Sequence, residues 1–185
     1  MNREESINFK QLRVTITAII TVLIGSLLLW NHFHGGVPSH HILDQKDLPS
    51  ISNWWGGLLL PLLTWILLGR INTRLNKQGT TAEDLNVKLK DVVIRFCIGL
   101  ALGIMLAASF VNNFKPFLDN VLYIILVLAL FVPIFYAEFI LGFVLGMTYT
   151  FGVILPTAFI LIMSLPGFVL YKYIRRLIMR LFGKK

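Results

Sequence analysis

The chain has 185 residues, of which 56% are hydrophobic and 14% charged, and it carries a formal net charge of +8. A soluble domain places about a quarter of its residues in the charged class, so this balance excludes an ordinary cytosolic globule and a disordered tail. With a mean hydropathy of +0.76, the composition predicts an all-α integral membrane protein, a polytopic bundle of transmembrane helices forming a single domain over 1–185. The basic residues flank apolar stretches instead of lining one groove-like face, so no nucleic-acid partner is expected. The one cysteine, Cys97, lies inside an apolar run, which excludes a disulfide framework and a cysteine-based zinc motif.

Val14 to Phe33 is free of charge and follows a basic head of Arg3, Lys10 and Arg13. No small-residue cleavage motif follows it, so it reads as an uncleaved first transmembrane helix over 14–33. The second and third helices are predicted over 51–76 and 82–111, each with roughly 20 apolar residues, enough to cross about 30 Å of hydrocarbon. Arg95 lies one turn inside the third helix and is expected to snorkel. Residues 70–90 form a basic loop in which Gly79 stops the second helix. Thr80 or Thr81 with Glu83 or Asp84 then gives a capping box for the third.

From Asn120 to Tyr171 the only charge is Glu138. Lys and Arg cluster near both ends and between 70 and 95, and positive residues stay cytoplasmic, so the number of crossings should be even. Six crossings follow, with short helices at 120–136, 139–155 and 157–178 and both termini cytoplasmic. Four crossings plus a re-entrant hairpin over Phe139–Leu155, or five crossings, are the alternatives. Gly142 and Gly146 form a G-x-x-x-G that predicts close helix packing. The expected location is a bacterial inner (plasma) membrane, with the lipid bilayer as the first partner.

All four histidines fall in the outer loop 32–53, as His32, His34, His40 and His41. Gly35, Gly36 and Pro38 can reverse the chain. If Ser39 caps a helical turn, Asp44 lies one turn from His40 and His41. These five residues are the candidate ligands for zinc or another transition metal. Haem fits less well, because axial pairs generally come from separate helices. Proton sensing and ordinary loop hydrogen bonding are the other roles open to the cluster.

Trp54 and Trp55 open the second helix at aromatic-belt depth, with Ser50, Ser52 or Asn53 as its cap. Asn53, Trp54, Asn112, Asn113 and Asp119 are candidates for an outer polar mouth. Glu138 is hydrated at a tight turn in the six-crossing arrangement and buried in the others. An intramembrane carboxylate is functional by default, and Tyr136, Thr148 and Tyr149 are the candidate pathway or coupling residues beside it. Three functions remain: a small-solute or ion transporter or transporter subunit, working as a homo-oligomer because so small a bundle has little interior; a metal-dependent membrane enzyme built on the histidines; and a non-catalytic assembly or scaffold protein.

Overall fold

In the computed structural model, residues 3–37, 39–41, 50–76 and 82–182 are described, with side chains over 9–37, 52–76 and 84–180. Asp44, Gly79, Thr80 and Thr81 lie outside these residues. The elements in order are α1 (Arg3–Phe33), β1 (Ser39–His41), β2 (Ser50–Ser52), α2 (Trp54–Leu75), α3 (Ala82–Val111), α4 (Lys115–Leu118), α5 (Val121–Phe131), α6 (Ala137–Phe151), α7 (Ile154–Val169), a π-helical turn (Leu170–Ile174) and α8 (Arg175–Phe182).

Among the described residues, four helical stretches are long and apolar enough to cross a membrane: Phe9–Phe33, Trp54–Leu75, Asp84–Val111 and Ile154–Arg180. They mark the chain as a polytopic membrane protein. The other two apolar helices have 11 and 15 residues, about 17 and 22 Å at 1.5 Å per residue, which is short of the hydrocarbon thickness. The helix expected over 120–136 ends at Phe131. Val132 is extended (φ −117°, ψ 131°) because the ring of the following Pro133 disfavours helical backbone before it. The helix expected over 139–155 starts earlier, at Ala137, and ends where Gly152 turns the chain at φ +70°. Six full-length crossings are therefore not what the helix lengths give.

Close contacts divide the chain into two compact units, Met1–Val92 with Phe151–Leu155, and Val93–Thr150 with Pro156–Lys185. In the first, α1 and α2 run antiparallel. Ile20, Ile24 and Leu28 recur every fourth residue on the buried face of α1 and answer Leu60, Leu67 and Ile71 of α2. Gly57 admits Leu28, and Gly69 admits the Arg13 guanidinium; a Cβ at these glycines would lie 3.0 Å and 2.8 Å from those side chains. Between the helices, β1 and β2 pair antiparallel, with His40 opposite Ile51 and His41 opposite Ser50. Ser39–His41 is thus extended and does not open a helical turn; Asp44 lies outside the described residues.

The start of α2 is packed by the 151–155 segment. A Cβ on Gly152 would land on the Asn53 side chain, and one on Gly56 would lie 3.0 Å from Val153 Cγ2. The pocket there, lined by Ser52, Asn53 and Gly56 among others, holds about 10 Å³, room for no more than one water. Asn53 is the N-cap position of α2 without a side-chain cap bond; the Ser52 hydroxyl instead accepts from Trp54 N at 3.4 Å.

In the second unit, α6 is the central element, with ten of its fifteen residues buried. Its partner is α3, and four glycines set the approach. A Cβ on Gly103 would lie 2.5 Å from the Phe143 carbonyl oxygen, and one on Gly146 would lie 2.6 Å from that of Leu100. Cβ atoms on Gly99 and Gly142 would run into the carbonyl oxygens of Phe139 and Phe96. Residue numbers rise together on the two helices, so they pack in parallel, backbone against backbone, in the small-residue manner of membrane helices. On another side, α7 stacks Phe159 on Phe143 (centroids 5.9 Å apart, planes at 22°). Gly167 of α7 lies against Ile134, which is fully buried in the break between α5 and α6.

Candidate functional site

The tight α3–α6 contact ends in an ion pair. Arg95 stands four residues before Gly99, and Glu138 stands four before Gly142, so each sits one turn beyond the glycines on the contact face of its helix. Arg95 Nη1 donates to Glu138 Oε1 at 3.3 Å, with the carboxylate side chain 1% exposed and the guanidinium 22% exposed. Arg95 therefore turns to a carboxylate of the same unit, where the sequence had suggested snorkelling. Glu138 is buried in the first turn of α6, not hydrated at a turn. A carboxylate there also complements the positive amino end of the helix.

The Arg95 guanidinium additionally lies over the Tyr136 ring, 5.1 Å from its centroid. Tyr136 ends the non-helical stretch after α5, and its amide donates to the Pro133 carbonyl at 3.0 Å. The same tyrosine lines an open groove of about 660 Å³ whose other walls include Phe135, Phe168, Tyr171, Lys172, Arg175 and Arg176. Phe135 meets Phe168 edge-on at 5.2 Å, and Arg175 lies 4.7 Å over Tyr171. Pro166 precedes this surface, and the π-helical turn Leu170–Ile174 carries its Tyr171 and Lys172; such local irregularities reset the angular register of the side chains around them. The outcome is a basic, aromatic-walled groove joined through Tyr136 to a buried ion pair.

The other candidate residues are distributed more widely. Thr148 is buried, and its hydroxyl donates to the Val144 carbonyl at 2.7 Å, whereas Tyr149 is 82% exposed and points away from the packed face of α6. Asn112 donates from Nδ2 to the Ala108 carbonyl at 2.7 Å, Asn113 adopts φ +50°, and Asp119 caps α4 by its backbone amide. These three belong to a loop of the second unit, and Asn53 and Trp54 belong to the first.

His34 stacks on Trp30 (centroids 3.8 Å apart) with Nδ1 2.9 Å from the Trp30 carbonyl oxygen. His32 meets Phe33 and Trp54 edge-on at 5.2 and 5.9 Å. Both are exposed. His40 and His41 occupy consecutive positions of β1. Among the described residues no group of three or more His, Cys, Asp or Glu is placed to hold a metal ion.

Arg95 is the site residue to which hydropathy alone gives another role. The signal was present: Arg95-x3-Gly99-x3-Gly103 and Glu138-x3-Gly142-x3-Gly146 repeat one spacing, with the basic and acidic residues at equivalent places. Comparison with known proteins adds no identity: no family model, no curated protein and no solved structure matches the chain.

Proposed function

We propose that the chain transports a small anion together with a proton, with Arg95 and Glu138 as the exchange point. The buried 3.3 Å ion pair at the break between α5 and α6 is the observation that carries this reading. An isolated charge in a low-dielectric site is expensive, whereas a guanidinium–carboxylate pair is neutral. A cation brought to the site would meet Arg95. An anion that arrives with a proton leaves the net charge unchanged: the proton goes to the Glu138 carboxylate, and the anion takes its place on the guanidinium. Departure of both restores the pair.

Three further features favour this reading. Discontinuous helices in secondary transporters present helix ends to ions near the middle of the membrane, and α5 and α6 meet in such a break. The amino end of α6 favours negative charge. The groove beyond Tyr136 carries Lys172, Arg175 and Arg176, which raise the local concentration of anions. In this reading α5, residues 132–136 and α6 form a hairpin among four full crossings, with both termini cytoplasmic in a bacterial inner membrane. The pathway runs along a homo-oligomer interface.

The test uses the whole protein in liposomes with a pH-sensitive dye inside, and imposes inward gradients of chloride, nitrate or pyruvate. At least one gradient should acidify the lumen faster than in protein-free vesicles. Glu138→Gln, which keeps the shape and removes the proton carrier, should slow this by about a hundredfold, the scale of a lost proton-transfer group. Failure of every anion to move protons, or a Glu138→Gln variant as fast as the parent, refutes the proposal.

A further inference from the structure

We infer that the α1–α2 hairpin of the first unit carries a second site, for the phosphate of an anionic lipid headgroup. Arg13 is the anchor. Its Nε donates to the Trp65 carbonyl at 2.9 Å and its guanidinium stacks 3.9 Å from the Trp65 ring centroid. One hydrogen bond and one cation–π contact thus hold a normally mobile side chain. The terminal nitrogens lie over Gly69, where a Cβ would be 2.8 Å from Nη2, so the glycine provides the space that the guanidinium occupies. Arg13, Arg70 and Arg74 together line an open groove of about 670 Å³, with the Thr73 hydroxyl beside them.

The ligand class follows from these walls. The Arg13 and Arg70 side chains share one groove, the two cations on which the site rests. Oriented guanidinium pairs match phosphate oxygens in a planar, forked geometry that ammonium groups do not reproduce. Trp65 and Ile66 add apolar wall next to the cations, which suits an amphiphile better than a free ion. The position agrees: Arg13 immediately precedes the charge-free run Val14–Phe33, and Arg70 immediately follows the apolar stretch of α2. Both therefore sit at headgroup depth, where basic residues recognise anionic lipid. The inference is independent of the anion-exchange reading, because the two sites lie in different units and share no residue.

Native mass spectrometry of the full chain, released from vesicles of equal phosphatidylglycerol and phosphatidylcholine, reads the site directly. The expected result is one retained phosphatidylglycerol per chain, favoured over phosphatidylcholine. Arg13→Gln and Arg70→Gln should each lower its retention about fivefold, the scale of one interfacial basic residue. Arg70→Gln leaves the α1–α2 contact intact, so it keeps the test decisive should Arg13→Gln weaken the fold. Lys115→Gln, at the start of α4 in the other unit, should change nothing. Tens of millimolar inorganic phosphate should fail to displace the lipid; displacement would identify free phosphate as the ligand of the same groove. Equal retention of both lipids, or undiminished retention in both Arg13→Gln and Arg70→Gln, overturns the inference.

Discussion

Substituting alanine for Gly103 or Gly146 tests the packing on which the ion pair depends. A Cβ at Gly103 would lie 2.5 Å from the Phe143 carbonyl oxygen, against 3.4 Å for the onset of ordinary contact. The obstacle is backbone on a parallel helix, which cannot rotate away, so the helices must separate by about 0.9 Å. Gaps of that size forfeit a quarter to a half of each dispersion contact, and overpacking of this kind costs about 1–3 kcal/mol. The same movement carries the 3.3 Å Arg95–Glu138 contact beyond 4 Å.

Alanine also favours a helix over glycine by about 1 kcal/mol, which opposes the loss and must be removed from the comparison. Gly25→Ala does this, because a Cβ at that helical glycine meets nothing within 4 Å. Thermal unfolding in detergent should therefore place Gly103→Ala and Gly146→Ala below Gly25→Ala by about 3–9 °C, taking roughly 3 °C per kcal/mol for a chain of this size. Equal midpoints for all three variants would refute the close α3–α6 contact.

Gly152→Ala should destabilise the 151–155 turn by about 1–2 kcal/mol from its left-handed backbone alone, with an added clash against Asn53. Asn53→Ala in that background should recover the clash component, measurable as non-additivity in a double-mutant cycle. Trp65→Leu should lower stability by about 0.5–1 kcal/mol through the lost stack on Arg13, and Arg13→Lys should do the same, since lysine reproduces neither the stack nor the fork. His32→Ala and His34→Ala should leave the metal content of the purified protein unchanged by elemental analysis, because the two rings face different aromatic partners and among the described residues no third ligand is grouped with them.

The long helices are legible because hydrophobic length alone specifies a span: α2 and α3 fall close to the residues that composition assigns to them, whereas α1 begins at Arg3, ahead of the expected start at Val14, because polar residues extend the helix beyond its apolar run. Hydropathy is silent on which face of a membrane helix is buried, since lipid and protein interior are equally apolar. Tyr149 and Thr148 illustrate this. They are adjacent in sequence and both reasonable as lining residues, yet one is 82% exposed and the other buried. The Arg95–Glu138 pairing links residues 43 positions apart; hydropathy windows do not see it, whereas the shared four-residue spacing to two glycines does. The β1–β2 pairing carried no usable pattern, because each strand has only three residues.

Charge balance at Arg95 and Glu138 is the centre of the account, and the voltage dependence of anion-driven proton uptake measures it most directly. Liposomes containing the protein, valinomycin and set potassium gradients fix the membrane potential while luminal pH is followed. If one proton moves with one monovalent anion, the initial rate should be the same at zero and at −100 mV, since no net charge crosses the field. A rate that changes severalfold with potential, or that vanishes in the parent protein, would contradict exchange at a neutral pair.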